Sequence, residues 1–524
     1  MKKKITILAL FLIIGSNLFA QSTAGDSLFN DTTVHSIYIN FSQVNYWTLL
    51  QNNKAYDDAN DSSTYIPAQV IVDGQQLDSV GIQFKGNSSY YNYPSNKKPF
   101  TLSFNEYISG QKYNGLKNIN LNNMYQDPSF MREKMFLDFC NAKAMYAPRA
   151  NYARLYINGN YWGLYLMVER ITKTFLKDRF GDNDDNLWKG DGSGSSCADL
   201  KYHGTLTSYY NCYELKTNEL ANDWSKLINL TYQINMTTNT QFRDSVEAAM
   251  NTQSFISAWA AFNLFVEFDS YPYRFIHNYY IYHDSIANKF QFIVWDASTA
   301  FGMDVPMTIP QIEAISVLYV TPLATDRPLV NRMLANSVYK DTYLKTICSF
   351  ADNDFLPSVL NPKIDTLYNR IKNFVYAETM KMYSNQNFDD NITQNINVSG
   401  IDYPGLKPFI QNRSASVLAE LNTLGYTNCP AIWTGINETN SGNEIGLNIY
   451  PNPFTESTTL QTNKVLKNAT LTVYNSYGQT VKQIKNIYGQ TIILQRDNLS
   501  SGLYFIRLTQ DHEVITANKF IITD

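Results

Sequence analysis

Apolar and polar positions follow β-strand patterns in the first part of the chain. Residues 68–84 and 100–104 alternate or run apolar and are rich in Val, Ile, Phe and Tyr, which favours strands. Two similar runs, residues 154–157 and 161–168, flank the turn at residues 158–160, whose sequence Asn-Gly-Asn is typical of a β-hairpin. The first half of the chain is therefore predicted to be rich in sheet.

Helical spacing of apolar residues dominates the second half. One earlier helix is predicted to begin at Asp127, because an N-cap residue followed by Pro128 precedes its apolar pattern. After residue 218 the helical patterns occupy residues 224–234, 240–250, 252–268, 329–350 and 356–382. An α+β domain is thus expected, with a sheet-rich part followed by a helix-rich part.

The two ends of the chain differ from this middle. Residues 1–20 have lysines at the start, an apolar run and small residues at the end, which is typical of a secretory signal peptide. The run is shorter than the roughly 20 residues of a membrane-spanning helix, so we expect export without a transmembrane segment. Residues 436–444 are predicted to be a linker, and residues 445–524, with short strands and no helical period, a small all-β sandwich of immunoglobulin type. Residues 21–435 form the main domain of this scheme, including an N-terminal extension.

Composition narrows the classes of function. Of 524 residues, 44% are hydrophobic and 14% aromatic, which excludes intrinsic disorder, and the net charge of −4 gives no reason to expect nucleic acid as a partner. The motifs of zinc metalloproteases, α/β-hydrolases and P-loop nucleotide-binding proteins are absent from the sequence. Five cysteines have no zinc-type spacing, and for Cys197 and Cys212 a disulfide and free thiols are the two alternatives.

One segment has the pattern of a phosphate-binding turn. It lies between predicted strands and consists of Gly86, Asn87, Ser88 and Ser89. Such a turn can offer N–H and hydroxyl donors to phosphate, and Lys97 or Lys98 of the next strand would add positive charge. An ordinary hairpin turn is the alternative interpretation.

Carboxylates and an amide stand at the ends of later elements. Asp269 follows a long apolar helix, Asn278 precedes the predicted strand 279–282, and Asp296 ends the apolar strand 292–295. Oxygen ligands in such positions suit a site for magnesium and nucleotide phosphates, because hard cations prefer oxygen. For Asp296, the cap of a turn is the alternative.

These segments together closely resemble the CotH family of secreted atypical protein kinases. The resemblance covers most of residues 60–380, and its blocks are residues 85–89, 97–100, 155–169, 186–191, 213–217, 278–282 and 295–302. It implies an atypical protein-kinase-like two-lobe fold, with a β-rich N-lobe, a helical C-lobe, and ATP and Mg²⁺ between them. It also implies transfer of phosphoryl groups to Ser or Thr of secreted or surface proteins.

The family resemblance implies roles for individual residues. Asp296 is similar to the magnesium-binding Asp of the metal loop, Asn278 to a second metal ligand, and Asp269 to the catalytic Asp that orients the substrate hydroxyl. Many family members have an acidic or amide residue two positions after this metal-binding Asp, where Ser298 stands here. This departure leaves room for a protein that binds nucleotide without turnover.

The nucleotide contacts are implied in the same way. Lys98, or its neighbour Lys97, is similar to the strand lysine that contacts the α- and β-phosphates, with Glu133 on the predicted helix as its ion-pair partner. Glu169, at the end of the hairpin, falls where the adenine-contacting hinge is expected.

The C-terminal module closely resembles the sorting domain of type IX secretion cargo. The similar segments are residues 449–454, 473–479, 499–508 and 519–524. This resemblance implies the type IX machinery as a partner and a final location outside the outer membrane, either secreted or at the cell surface.

Two functions remain open at this point. The first is an exported kinase, and the second is a catalytically inactive, kinase-like surface or matrix protein that acts as a binding module, for example for envelope carbohydrate. The aromatic content suits the second function too, because Tyr and Trp stack on sugars as well as pack in cores. ATP is also scarce outside the cytoplasm, and this favours the inactive binding module over an exported kinase.

Overall fold

The structure is a computed structural model that describes residues 23–190, 197–303, 305–320, 327–431, 447–475, 480–510 and 513–523. The chain divides into two compact units, Met1–Gly435 and Ile436–Asp524. The predicted signal peptide and the predicted linker lie outside the described residues. Within the described part of the chain, no helix has both the length and the apolar character needed to cross a membrane.

The larger unit begins with a closed barrel of strands in the order β1-β2-β3-β4-β5-β7-β6. The strands are β1 (His35–Asn40), β2 (Ile66–Val72), β3 (Gln75–Phe84), β4 (Phe100–Ser103), β5 (Asn118–Asn122), β6 (Ala150–Ile157) and β7 (Asn160–Glu169). Strand β1 closes the barrel by pairing parallel with β6. The predicted strands and hairpin are confirmed, and Asn158 and Gly159 have the left-handed backbone that a two-residue hairpin loop needs.

Three helices accompany the barrel: α1 (Tyr46–Asn60), α2 (Ser88–Tyr91) and α3 (Arg132–Ala142). The helix predicted to start at Asp127 begins at Arg132 instead. The Asp127 carboxylate accepts from the Arg132 N–H at 2.9 Å across an intervening turn, in which Phe130 has a left-handed φ of 60°. Asp127 therefore still binds an N–H of the first helical turn, but from further away than the sequence pattern indicates.

The rest of this unit combines a four-stranded sheet with helices. The sheet has the order β11-β10-β8-β9, and its strands are β8 (Leu187–Gly190), β9 (Tyr213–Leu215), β10 (Tyr279–Asp284) and β11 (Lys289–Val294). The helices are α4 (Lys173–Phe180), α5 (Leu206–Tyr210), α6 (Ser225–Met236), α7 (Asn239–Ala249), α8 (Thr252–Leu264), α9 (Ile309–Glu313), α10 (Pro328–Ala335), α11 (Ser337–Asn353), α12 (Pro357–Ala377), α13 (Asn385–Thr393) and α14 (Leu406–Thr423). A small hairpin, β12 (Ile396–Val398) and β13 (Ile401–Tyr403), precedes α14.

Two predicted helices differ from the observed ones in a way that matters for the site. The helix predicted over residues 252–268 ends at Leu264, so that Asp269 lies in a loop. The helix predicted over residues 329–350 is divided at Asn336, whose side-chain oxygen accepts from the first N–H groups of α11. An N-cap side chain starts a new helix there.

Two disulfides are present in the larger unit. The bridge between Cys197 and Cys212 forms, so the disulfide alternative is confirmed. A second bridge, which the sequence did not predict, joins Cys348 to Cys429 over 81 residues. Cys140 is the unpaired thiol and is buried.

The C-terminal unit is all β, as predicted. Its strands are β14 (Leu447–Tyr450), β15 (Ser457–Asn475), β16 (Thr480–Gln495), β17 (Gly502–Gln510) and β18 (Glu513–Ile522). They form one hydrogen-bonded sheet of five strands, in which the long strand β15 pairs with β14, β16 and β17, and the immunoglobulin-type sandwich stays a prediction. Register shifts interrupt its pairing with β16.

Candidate active site

Lys85 lies where the barrel meets the second sheet. It follows β3 directly, and its Nζ donates to Asn122 Oδ1 at 2.7 Å, at the end of β5. The same Nζ lies 6.0 Å from the centre of the Trp295 ring, just after β11. Burial lowers the pKa of Lys85, and the charges of Asp296 and Glu133 oppose this shift. Lys85 therefore connects the ends of β3 and β5 to Trp295, the residue before Asp296.

Asn122 connects Lys85 to a buried carboxyl group. Its Nδ2 donates to both oxygens of Glu133, at 3.1 and 2.9 Å. Glu133 is in the first turn of α3 and is only 7% exposed. Burial, together with the charge of Asp296, raises the pKa of Glu133 to about 7, while Asn122 and Lys85 act in the opposite direction. Glu133 thus changes its charge near neutral pH.

This raised pKa predicts a pH dependence of stability. Because the native state binds the Glu133 proton more tightly than the unfolded chain does, stability is expected to fall as the pH rises from about 4.5 to about 7. In the variant Glu133→Gln this contribution is absent. Urea unfolding of the nucleotide-free protein at pH 5 and pH 8 should show that the variant gains stability relative to the parent at the higher pH. An equal difference between the two proteins at both pH values would contradict the raised pKa.

Asp296 and Asn278 lie at the same end of the β10–β11 hairpin. Tyr279 pairs with Val294, so the residue before β10 and the residues after β11 are neighbours. Both residues have a left-handed backbone, with φ of 48° for Asp296 and 59° for Asn278, which Asp and Asn tolerate better than most residues. Asn278 Nδ2 donates to a main-chain carbonyl, at 2.8 Å, which leaves its Oδ1 for another partner. One carboxylate residue and one amide residue are therefore placed at the same end of this hairpin, and oxygen donors of this kind suit magnesium.

Asp269 is held from three sides. Its Oδ1 lies 2.5 Å from His277 Nε2, its main-chain carbonyl accepts from Asn278 Nδ2, and its N–H donates to Glu267 Oε1 at 3.1 Å. The side chain is 25% exposed, so it can still be reached by another molecule. The loop after α8 therefore fixes an accessible carboxylate beside Asn278.

A compact group of thiol, carboxylate or imidazole ligands occurs once among the described residues, at Cys348, Asp352 and Cys429. The two cysteines form a disulfide there and are not available as thiolates. A magnesium ion at Asp296 would accordingly have few protein ligands. Phosphate oxygens and water would complete its coordination, as is usual for Mg²⁺ at nucleotide sites.

The structure corrects the expected role of Lys97. Its Nζ lies 2.7 Å from Glu378 Oε1, and both side chains are 0% exposed. The ammonium is further enclosed by the rings of Phe130 and Tyr165. Lys97 thus pairs with Glu378 and not with the predicted partner Glu133, and its enclosed ammonium is not exposed to a phosphate. Packing of the barrel against the end of α12 is the physical reason.

Lys98 turns its side chain to a different part of the fold. Its Nζ donates to the carbonyls of Tyr90, at 2.7 Å, and Tyr93, at 2.9 Å. Lys98 is therefore not the partner of Glu133 either. The lysine whose charge acts on Glu133 is Lys85.

The predicted phosphate-binding turn follows Lys85 directly. Gly86 has a left-handed φ of 79°, and a side chain there would collide with Ser89. Asn87 and Ser88 are exposed. The contact of this turn with phosphate stays a prediction, and its position next to Lys85 suits it.

Glu169 is fully engaged by arginines. Its carboxylate is 1% exposed and lies 2.7 Å from Arg149 Nη2 and 2.8 Å from Arg179 Nη2. The side chain is thus not available to a nucleotide. A contact between adenine and the main chain of this segment stays a prediction.

Sequence reasoning missed three residues of this site. Lys85 lies inside a block that resembles the family, but the resemblance implies Lys97 or Lys98 in the role of the phosphate-binding lysine. His277 had a signal, since it directly precedes Asn278. Glu267 had none, because it follows an apolar helix and its role depends on which loops pack around it.

Comparisons with known proteins assign these features to a family. Residues 82–417 match the family described as CotH kinase protein, and residues 448–523 match the family described as secretion system C-terminal sorting domain. The inner spore coat protein H of Bacillus subtilis (strain 168) is 27% identical over 331 residues, which are 62% of this chain and 85% of that protein.

Two fungal proteins of Rhizopus delemar are also similar. Invasin CotH3 is 24% identical over 360 residues, or 67% of this chain and 58% of the relative. Invasin CotH2 is 25% identical over 287 residues, or 53% of this chain and 47% of the relative. The fold combines helices and sheets, and the match to the sorting domain indicates export by a secretion system. The chain belongs to the CotH kinase protein family.

Proposed function

We propose that this chain is an exported atypical protein kinase with a two-lobe fold, which transfers the γ-phosphoryl group of ATP to Ser or Thr of secreted or surface proteins. The observation that carries this proposal is the common neighbourhood of Asp296. Its charge acts on Lys85 and Glu133 from the barrel side and on Glu267 from the loop that bears Asp269. Residues distant in sequence thereby form one polar site between the barrel and the helix-rich part.

Different residues of this site would bind the ATP phosphates and the magnesium ion. Lys85, at the edge of the turn that begins with Gly86, is positioned to bind the phosphates of ATP, and Asn122 with Glu133 orients its ammonium. Asp296 and Asn278 would hold magnesium, which neutralises the charge of the transferred phosphoryl group when bound. The catalytic contribution of such a site is mainly positioning and electrostatic stabilisation.

Asp269 is the residue that would bind the acceptor hydroxyl of the protein substrate. Its accessible carboxylate would receive a hydrogen bond from the hydroxyl of Ser or Thr and take its proton. The hydroxyl oxygen forms the new bond to phosphorus, the bond to the bridging oxygen breaks, and ADP leaves. His277 orients this carboxylate through its hydrogen bond, and Asn278 holds the main-chain carbonyl of the same residue.

Calorimetric titration of the exported chain with ATP, with and without Mg²⁺, tests the first step. We expect binding that depends on magnesium. Transfer of labelled phosphate to exported proteins, followed by release of free phosphoserine or phosphothreonine on acid hydrolysis, tests the second step. Absence of nucleotide binding would rule out the kinase proposal.

A second candidate function is a surface-binding protein on the same scaffold. It is supported by the names of the fungal relatives, which are called invasins, and by Ser298 at a position where an acidic or amide residue is common. Trp47 and Trp162, whose ring centres lie 5.4 Å apart at the partly exposed surface of the barrel, would suit carbohydrate. Binding of ATP and Mg²⁺ without transfer would favour this function, and Ser298→Asp is then the first substitution to try.

Export through the type IX machinery gives a separate prediction. The C-terminal unit is compact by itself and matches the sorting family over residues 448–523. Fusion of residues 440–524 to an inert periplasmic reporter should therefore bring the reporter to the cell surface in a host that has this machinery. The matched control is the same fusion in a host strain without it. Retention of the reporter in the periplasm of both hosts would contradict the prediction.

A further inference from the structure

Glu267 connects two loops of the candidate site through its buried side chain. Its side chain is 0% exposed, and its Oε1 accepts from the N–H of Asp269, at 3.1 Å, and from the hydroxyl of Thr299. Asp269 belongs to the loop after α8, whereas Thr299 belongs to the loop that starts at Asp296. One oxygen atom therefore binds both loops.

The main chain delivers Glu267 to this position through a strained residue. Helix α8 ends with the N–H of Glu267 donating to the carbonyl of Phe262 at 2.8 Å. Between helix and carboxyl group stands Val266, which is buried and has a left-handed φ of 48°. This backbone is unfavourable for a β-branched residue, and such strain concentrates at functional sites. The turn is thus maintained although a glycine would adopt it more easily.

A main-chain contact reinforces the same junction. The N–H of Phe301 donates to the carbonyl of Phe265 at 2.7 Å, and Phe301 also has a left-handed φ, of 66°. The two loops are consequently joined by one side chain and one main-chain hydrogen bond. A substitution can remove the hydrogen bonds of the Glu267 side chain but not the main-chain bond.

We propose that Glu267 is a positioning residue that holds the Asp269 loop and the Asp296 loop in a fixed relation, so that the acceptor hydroxyl and the transferred phosphoryl group are aligned. This inference rests on the proposed kinase function and adds a residue that does not touch either substrate. What the site requires of Glu267 is an acceptor oxygen at the position of Oε1, not a negative charge.

Burial supports this view of the carboxyl group. The second oxygen, Oε2, is buried without a hydrogen-bond partner among the described residues. A charged carboxylate in that surrounding is costly. Burial raises the pKa of Glu267 well above its ordinary value, and the charges of Asp269 and Asp296 act in the same direction. A neutral group with the same acceptor oxygen should therefore serve equally.

The test compares Glu267→Gln, Glu267→Ala and Thr299→Val in the full exported chain. Glutamine keeps the acceptor oxygen and removes no substrate contact, so we expect kcat to stay within about 5-fold of the parent. Alanine removes the acceptor for both loops, and kcat should fall by about 10²-fold with a smaller change in KM for ATP, because misalignment of reacting groups affects turnover first. Thr299→Val breaks one of the two bonds and should give an intermediate loss.

A second measurement does not depend on activity. Amide hydrogen exchange over residues 265–303 should become faster in Glu267→Ala, and less so in Thr299→Val, but remain parental in Glu267→Gln. Thr299→Val keeps the comparison decisive if the alanine variant fails to fold. A parent without nucleotide binding would refute the proposed function, whereas exchange would still decide the positioning role.

Three results would overturn the inference. One is parental kcat in Glu267→Ala or Thr299→Val at temperatures well below melting, which is the outcome for a merely structural residue. Another is an equal loss of kcat in the glutamine and alanine variants, which would mean that the negative charge matters. The third is unchanged hydrogen exchange in both variants that remove a bond between the loops.

Discussion

Replacement of Asp296 by asparagine is expected to abolish magnesium-dependent binding of ATP. Asparagine tolerates the left-handed backbone of this position, so the variant removes the negative charge without adding strain. Calorimetric titration with ATP and Mg²⁺ should show no magnesium-dependent heat of binding. Asp365→Asn, at an exposed carboxylate of α12, is the matched control and should bind as the parent does.

Replacement of Asp269 by asparagine should separate binding from transfer. Because this carboxylate acts on the acceptor hydroxyl rather than on the nucleotide, binding of ATP and Mg²⁺ should stay close to that of the parent. Turnover should fall by about 10²-fold or more if Asp269 accepts the proton. Both variants must melt near the parental temperature for the comparison to hold. Parental magnesium-dependent ATP binding by the Asp296 variant would show that the magnesium assignment is wrong.

Lys97 and Lys85 are expected to differ in what their removal changes: the unfolding free energy for Lys97 and turnover for Lys85. Lys97→Met leaves the carboxylate of Glu378 buried without its partner, and removal of one member of a buried ion pair costs about 3–5 kcal/mol of unfolding free energy. Urea unfolding measures this loss. The double variant Lys97→Met with Glu378→Gln should recover part of it, because no charge then remains unpaired. A loss below about 1 kcal/mol in the single variant would contradict a tightly enclosed pair.

Lys85→Met should have the opposite profile. The ammonium of Lys85 belongs to the polar site around Asp296, and loss of one such electrostatic contact lowers turnover by about 10²- to 10³-fold. The unfolding free energy should change little, since methionine keeps much of the apolar stem. Lys98→Met is the matched control for turnover, because the Lys98 ammonium binds two main-chain carbonyls away from Glu133. Parental turnover in Lys85→Met would show that a residue other than Lys85 binds the phosphates.

The sequence predicted well those features that depend on neighbours along the chain. The hairpin between β6 and β7 is an example, because Asn158-Gly159 adopts the required left-handed turn whatever lies elsewhere. The strands of the barrel and the helices after residue 218 likewise show their periodicity locally. The pattern indicates Asp269, Asn278 and Asp296 as candidates because each follows or precedes a predicted element.

Helix ends were harder to predict for a physical reason. The apolar pattern of α8 continues through Phe265 and Val266, yet the helix stops at Leu264 because Val266 takes a left-handed backbone. Only the loops that pack against this turn compensate the strain. The position of Asp269 in a loop therefore came from tertiary contacts and not from propensity.

By itself, then, the sequence determined most of the elements and the family, and it predicted Asp269, Asn278 and Asp296 as candidate site residues, since local patterns and recognisable blocks carry this information. The tertiary structure alone decided the roles of the lysines: Lys97 pairs with Glu378, far away in the chain, while Lys85 reaches Asn122 and the charges of Glu133 and Asp296. It also decided the bridge between Cys348 and Cys429 and the burial of Glu267 between two loops. Identical side chains close together in sequence carry no local signal of their partners, because burial and pairing are set by which distant segments pack beside them.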